Sequence, residues 1–304
     1  MLTLLPGLDF RPTLDCSAEL GRVLCEAKEY VPHGQWGSWL RRVGLAERTA
    51  RTHMQVFRHY DERPTTAEMT IERFLAYLRQ SRIVAKRDER EVARVASAKR
   101  IGTLPDAMTF VNTDCRKYDW TQHGLIDAIV TDPPWNDMAA YKWLASMAFD
   151  RLRDGGIMLV QLGTRYLPDV MRIMQDAGLT YQWCLIIYYP EMRRAKPTGT
   201  RFLPSWKPVL LYSKGILPKC KGGYLGDCFT IGRGDETKTL HDWQQSTLPF
   251  LNWLPRLVDA GSLVADPFAG SGTTGEVCRQ LAMRWVGTEL DTKAYGVALG
   301  RLVV

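Results

Sequence analysis

The stretch "IDAIVTDPPWND", Ile126 to Asp137, ends an apolar run on a carboxylate, then places two prolines and a tryptophan. An apolar run of this length reads as a buried strand, so Asp132 stands at a strand end. Pro133 and Pro134 have a fixed φ and no N–H, so their carbonyls are held in set directions and nothing on the turn donates. Trp135 adds a flat apolar face. Acceptors beside a stacking surface complement a planar ring that carries an amino group. The exocyclic amine of a nucleobase fits: its two N–H groups can reach the Asp132 side chain and the Pro133 carbonyl while Trp135 stacks on the ring. Such an amine is a poor nucleophile, because its lone pair is delocalised into the ring. Acceptors on both protons favour a pyramidal nitrogen and accommodate the positive charge that develops during attack. By analogy with one oxyanion-hole donor, each fixed acceptor supplies roughly 3 kcal/mol in a site that excludes water. Holding amine and electrophile in line supplies more.

A second constellation lies near the end of the chain. Gly270, Gly272 and Gly275 in "GSGTTG" match G-x-G-x-x-G. The pattern alone is weak, but here it follows the strand Leu263-Val264-Ala265 and opens a helix, and Glu289 ends the next strand 19 positions after Gly270. In that context glycines permit close backbone approach and the carboxylate takes ribose hydroxyls, so an adenosine-containing cofactor is expected. A nicotinamide-binding fold builds most of its strands after this turn. Too little chain follows Glu289 for that, so the rest of the sheet must come from upstream, where Asp132 lies. The two halves are therefore permuted.

The elements that must position these residues follow from periodicity. From Ala107 onward, strands and helices alternate: "AMTFVNTD", "IDAIVT", "GIMLVQLG", "YQWCLIIYY" and "KPVLLYSKG" read as strands, with "AAYKWLASMAFDRL" and "YLPDVMRIMQDAG" as helices between. "STLPFLNWLPRLVDAG" reads as a helix that Pro255 can kink. This is α/β alternation, which predicts a Rossmann-like, mainly parallel sheet with helices on both faces. Residues 1–100 instead read as a small all-α domain. Within it, a break at Gly44 precedes a short helix carrying Arg48, Arg51, His53 and Arg58, the outline of a helix-turn-helix. A plain αα-hairpin with a solvated basic face is the alternative. Between Ser81 and Arg100 there are seven basic and three acidic residues, a solvated face or linker. The expected division is 1–100 and 101–304, with a short target-recognition insert near 190–240.

Composition sets outer bounds. The 304 residues are 45% hydrophobic and 24% charged, enough apolar content for a sizeable core, and the net charge of +7 suits a polyanionic partner without requiring one. Seven cysteines at irregular spacing, with no C-x-x-C pair, fit reduced thiols and a cytoplasmic protein better than disulfides or a zinc cluster. No apolar run approaches the roughly 20 residues of a membrane span, and "MLTLLPGLDFRPTLD" does not read as a signal peptide.

On these residues the chain resembles the β-class amino-methyltransferases of DNA, which move a methyl group from S-adenosylmethionine to adenine N6 or cytosine N4. "DPPW" looks like their catalytic motif, "DPFAGSGTT" (Asp266 to Thr274) like their cofactor motif, and "VGTELD" like their ribose-binding strand end. The order, catalytic before cofactor motif, is that of the β class. The similarity covers about residue 107 to the end. It implies a permuted methyltransferase fold with S-adenosylmethionine as cofactor, DNA as partner and no metal. Asp132, Pro133 and Pro134 would hold the amine, and Trp135 would stack on the flipped base. Asp266, Pro267, Phe268, Gly270, Gly272 and Thr273 would line the cofactor with Glu289 on its ribose. Asp114, in "NTDC", sits where that class has an acidic residue near the cofactor adenine. Trp243 and Gln244, in "HDWQQS", resemble the segment that closes the methionine pocket. Flipping the base out of the duplex costs a few kcal/mol.

Asp132 favours adenine over cytosine, whose enzymes often carry Ser there, although adenine enzymes of this class more familiarly carry Tyr in place of Trp135. The segment expected to read sequence, about Lys214 to Leu240, is short. Arg193, Arg194, Lys196 and Arg201 in the preceding loop, and Arg48 and Arg51 in the helical domain, are suited to phosphate contacts, which position without specifying. "EAKEYVPHGQWGSWL" resembles a small helical domain often encoded by phages and prophages. A homodimer is one expected assembly. Adenine N6 is the leading acceptor, with cytosine N4 and RNA adenine as alternatives. A non-catalytic DNA-binding regulator is the reading from another class, opposed by the intact Asp132, Pro133, Pro134, Gly270, Gly272 and Glu289.

Overall fold

A computed structural model describes residues 13–64, 69–98, 102–190, 202, 204–232 and 245–303, in two compact units, Met1–Asp88 and Glu89–Val304.

The first unit is helical. Helix α1 (Leu14–Tyr30) starts at Thr13, whose hydroxyl accepts from the Cys16 N–H at 3.2 Å. Helices α2 (Trp36–Arg42) and α3 (Glu47–Arg58) are separated by the break expected at Gly44. Gly44 has φ +74°, a left-handed conformation that glycine adopts without steric cost, and the Leu45 N–H closes the turn on the Leu40 carbonyl at 3.0 Å. Helices α1 and α3 cross closely: a Cβ on Gly21 would lie 2.0 Å from the His53 carbonyl oxygen. At this crossing Ser17 Oγ and His53 Nδ1 are 2.7 Å apart and both residues are buried. His53 therefore does not belong with the basic residues of its helix, and burial holds its pKa below the usual value. Arg48, Arg51 and Arg58 are exposed on α3.

Helix α4 (Ile71–Ala98) is one continuous helix, and the division between the units falls inside it rather than at residue 100. Its last turn belongs to the second unit for a physical reason. Ser97 Oγ donates to the Val297 carbonyl at 2.9 Å, and Gly300 lies against the Ser97 backbone.

The second unit runs β1 (Met108–Asn112), β2 (Ile126–Thr131), α5 (Met138–Arg151), β3 (Leu152–Gln161), α6 (Leu167–Asp176), β4 (Thr180–Tyr188), β5 (Trp206–Ser213), β6 (Cys228–Thr230), α7 (Leu248–Leu257), β7 (Leu263–Asp266), α8 (Thr273–Gln280), β8 (Arg284–Glu289) and α9 (Thr292–Leu302). The sheet order is β1-β8-β7-β2-β3-β5-β4-β6. Neighbours from β1 through β3 are parallel, β5 is antiparallel to both β3 and β4, and β6 is parallel to β4. This is the permuted, mainly parallel α/β sheet expected. The short β6 lies where no period is legible in the sequence. Helix α7 continues through Pro255.

Alternate residues of the central strands feed two cores, as the period of two demands. Ala128, Val130, Ile157, Leu159 and Val264 face Phe250 and Trp253 of α7, Val277 of α8 and Ala298 of α9. Ile129, Met158, Val160 and Ala265 face Tyr141 and Leu144 of α5 and Val170 and Met174 of α6. Helices thus cover both faces, and the carboxyl ends of β1, β8, β7 and β2 open side by side.

The contact between α4 and α9 gives a paired test. A Cβ on Gly300 would lie 1.6 Å from the Ser97 carbonyl oxygen, whereas one on Gly296 would meet only Ala98 Cβ at 3.8 Å. Gly300→Ala should lower stability in urea denaturation by about 1–3 kcal/mol through overpacking. Gly296→Ala should raise it by up to about 1 kcal/mol through helix propensity.

Candidate active site

Four loops converge at that carboxyl edge, each following a parallel strand, which is where ligands meet sheets of this kind. Asp132 follows β2, Asp114 follows β1, the glycine turn follows β7 and Glu289 ends β8. Direct bonds tie the central two loops together. Thr131 Oγ1 donates to Asp266 Oδ1 at 2.7 Å, and Thr274 Oγ1 donates to the Val130 carbonyl at 3.3 Å. Thr288 Oγ1 donates to the Pro267 carbonyl at 2.8 Å, and the Ala269 N–H donates to the Thr288 carbonyl at 3.0 Å, fastening the glycine turn to β8.

Gly270 has φ +52° and Gly272 +74°, left-handed values that favour glycine. A Cβ on Gly270 would meet nothing within 4 Å, so the backbone here fronts open space. Gly272 and Gly275 instead pack against α9: a Cβ would meet Ala298 at 3.1 Å on the first and Leu302 at 3.0 Å on the second. The Gly270 N–H donates to Glu289 Oε2 and the Asp291 N–H to Oε1, each at 2.8 Å. These bonds orient Glu289 and leave lone pairs for further donors. Arg301 of α9 is a support that the sequence did not single out; it donates to the Ser271 carbonyl at 3.2 Å and to Thr273 Oγ1 at 3.4 Å.

Asp266 does not line open space. Its side chain is 2% exposed and lies beneath the turn, accepting from Thr131 and, at 3.2 Å, from the Phe268 N–H. Burial pushes its carboxyl up to about 7, against the pull of those hydrogen bonds. Asp114 is forked by Arg116, with Oδ2 at 2.8 Å, and this partner holds its carboxyl down at about 2. Phe268 is partly buried and meets Trp143 of α5 edge-on, with ring centroids 6.2 Å apart.

The turn after β2 differs from expectation in one respect: it does present a donor. Trp135 Nε1 donates to Asp132 Oδ1 at 2.7 Å, which places the ring against Gly163. Asp132 Oδ2 accepts from Gln161 Nε2 at 3.2 Å and from Gln245 Nε2 at 3.1 Å. Lys207 Nζ in turn donates to Gln245 Oε1 at 2.8 Å. The Pro134 carbonyl accepts from the Asp137 N–H at 3.0 Å, while the Pro133 carbonyl has no partner among the described residues. Burial pushes the Asp132 carboxyl up to about 6, opposed by Trp135, by the charge of Lys207 and by Gln245. Gln161 had a legible signal, a polar residue at the end of an apolar strand like Asp132 itself. Gln245 lies within the quoted "HDWQQS", but its direction toward Asp132 is a tertiary fact.

The remaining expected residues divide by place. Trp243, Gln244, Arg193, Arg194, Lys196 and Arg201 lie outside the described residues. In the first unit, Arg51 lines a cavity of about 310 Å³ with Lys28, Trp36, Glu47, Met54 and Arg58; Arg48 does not line it. No group of three or more His, Cys, Asp or Glu side chains is placed to hold a metal among the described residues. No helix among them is long and apolar enough to cross a membrane.

Comparison with known proteins agrees with this fold. Residues 244–299 match a family described as DNA methylase, and residues 10–85 match a family described as a protein of unknown function, DUF3102. The chain is 21% identical over 217 residues to the type II methyltransferase M.HpaI of Haemophilus parainfluenzae, covering 58% of this chain and 68% of that one. Among solved structures, the M1.HpyAVI–SAM complex superposes with a TM-score of 0.56 at 20% identity, covering 65% of this chain and 100% of that one. The cytosine-N4-specific PvuII DNA methyltransferase superposes with a TM-score of 0.54 at 17% identity, covering 67% and 91%. The fold is that of these methyltransferases, and the resemblance to amino-methyltransferases read from the motifs stands.

The burial of Asp266 makes a testable statement about stability. Its ordinary value is 3.8 and its folded value about 7. Below about pH 4 the proton is bound in folded and unfolded chains alike, and its contribution is fully present. As pH rises through about 7 the unfolded chain has already ionised, so stability falls and the contribution is lost. Asp266→Asn cannot ionise. Its stability should vary less between pH 4 and 8 than that of the wild type, and at pH 8 it should exceed the wild type by at most about 4 kcal/mol in urea titrations.

Proposed function

We propose that this protein is an S-adenosylmethionine-dependent DNA amino-methyltransferase whose acceptor is the N6 amine of an adenine flipped out of the duplex. The observation that carries this reading is the adjacency of two sites on neighbouring strands. A partly buried carboxylate, beside a proline carbonyl with no partner among the described residues, follows β2, and a glycine turn with an oriented carboxylate beside it follows β7 and β8.

The residues present fit the cofactor. Gly270, with its left-handed φ and open front, gives a backbone that a ligand can approach closely. Glu289 has lone pairs for ribose hydroxyls, and the first turn of α8 suits the carboxylate of the amino acid moiety. Bound there, S-adenosylmethionine supplies an electrophilic methyl group on a sulfonium. The chain's own residues prepare the nucleophile. Asp132 and the Pro133 carbonyl accept the two amine protons, drawing the nitrogen toward a pyramidal geometry that frees its lone pair. Trp135 orders the carboxylate through its N–H and offers its ring to the base. Phe268 and Trp143 place apolar surface beside the turn, and loss of water strengthens each of these bonds.

Asp132 supports adenine as the acceptor, since a carboxylate rather than a hydroxyl stands at this position. Incubation with labelled S-adenosylmethionine and unmethylated DNA, followed by digestion and mass identification of the nucleoside, should yield N6-methyladenine. N4-methylcytosine would overturn the choice of base, and product on RNA alone would overturn DNA as substrate. Asp132→Ala should cost about 10²–10³-fold in rate with cofactor affinity by calorimetry nearly unchanged; loss of cofactor binding would contradict the role given to Asp132.

The exposed arginines of α3 extend the reading to DNA contact. Arg48→Ala and Arg51→Ala should each weaken DNA binding without altering site preference, and each should reduce the slope of log affinity against log salt by about 1. Unchanged slopes would show that this basic face is only solvated.

A further inference from the structure

The Asp132 carboxyl is partly buried, and the loss of water pushes it up to about 6, yet the proposed chemistry needs it charged. A buried carboxylate without donors takes up a proton instead. The groups facing it come from several elements. From β3, Gln161 donates at 3.2 Å; from the segment before α7, Gln245 donates at 3.1 Å; from its own turn, Trp135 donates at 2.7 Å. Lys207 of β5 supplies the positive charge, bonded to Gln245 Oε1 at 2.8 Å. Two further titratable groups lie close by: Tyr141 of α5, whose buried hydroxyl feels the Asp132 charge, and Asp266 on β7, bonded to the adjacent Thr131.

The two amides are not accounted for by packing. Gln161 is 1% exposed, and its Oε1 is buried with no partner. A glutamine kept for packing alone would leave that oxygen at a cost of about 1–3 kcal/mol; the donor at its other end explains its presence. Gln245 faces two ways. Its amide N–H meets the carboxylate and its amide oxygen meets the ammonium, so it relays charge across a gap that Lys207 does not close directly. Its backbone carbonyl also accepts from Thr273 Oγ1 of the glycine turn at 3.4 Å.

We propose that Gln161 and Gln245 are positioning residues that hold Asp132 as a carboxylate, with Gln245 carrying the charge of Lys207 to it. The inference rests on the methyl-transfer reading for its purpose, but its test does not. The Asp132 ionisation is read directly from the carboxyl-carbon shift in protein labelled with ¹³C-aspartate, assigned by its absence in Asp132→Asn. The acid limb of the methylation rate is measured in parallel.

In Gln245→Met and Gln161→Met the midpoint should rise by about one pH unit. Methylation should then fall about fivefold against wild type near pH 6, approaching tenfold below about pH 5, and recover to within a few-fold at pH 8.5. Lys207→Met should shift the midpoint the same way, and the double variant with Gln245→Met should shift it little further, because both act through one route. Gln161→Glu keeps the shape, adds a like charge and should raise the midpoint beyond the Met variant; it serves if Gln161→Met fails to fold. An unmoved midpoint, an equal loss of rate at every pH, or additive effects of Lys207 and Gln245 would overturn the proposal. Absence of methylated product from the wild type would instead overturn the function proposed above, while the carboxyl titration would still decide the role of the glutamines.

Discussion

The second unit is organised around the cost of keeping carboxylates out of water at strand ends. Asp132 and Asp266 end adjacent parallel strands, and burial pushes both toward the neutral form. Each is retained because donors reach it from its own turn and from other elements: an indole and two amides for one, a hydroxyl and a backbone N–H for the other. Those donors fix the ends of β3, β7 and α8 and the segment before α7 relative to β2. The glycine turn then inherits its position from Asp266, and Glu289 inherits its own from the turn.

This dependence explains what could be read from the chain alone. Asp132, Gly270, Gly272 and Glu289 announce themselves by local signals: a charge after an apolar run, a spacing of glycines, an acid at the next strand end. Each strand from "AMTFVNTD" to "KPVLLYSKG" is a period-two or continuous apolar run, and each became a strand. What was not legible depends on contacts between distant segments. Gln245 is 113 positions from Asp132, and Lys207 reaches the site only because β5 inserts beside β3. The inward turn of Asp266 is likewise invisible in a motif, which states a residue type and not the direction of its side chain. Even Trp135, read for its ring, proved also to act through its N–H.

The helical unit shows the same limit from the other side. His53 reads with Arg48, Arg51 and Arg58 as one basic helix, but it lies on the opposite side of that helix, where Gly21 lets α1 approach so closely that the imidazole is enclosed and bonds to Ser17. The arginines remain outside. A basic helix read by composition is thus thinned by the residues whose helical position turns them inward. The division within α4 has a similar origin, since Ser97 and Gly300 commit the last turn of that helix to the sheet-bearing unit.

The permuted strand order also bears on how the protein is made. Strand β1 has β8 as its neighbour, and Asn112 meets Glu289 across 177 positions. β7, which lies between β2 and β8, also emerges late. At ribosomal rates of about 5–20 residues per second, β1 therefore waits roughly 10–35 s for its partner. Throughout that interval one side of β2 is an unpaired edge, the kind of surface on which aggregation begins. The half with Asp132 is built first but cannot complete its sheet until the half with the glycine turn arrives. Nascent chains of this topology should consequently draw on chaperones late in synthesis, and loss of the last strand should be far more damaging than its six residues suggest.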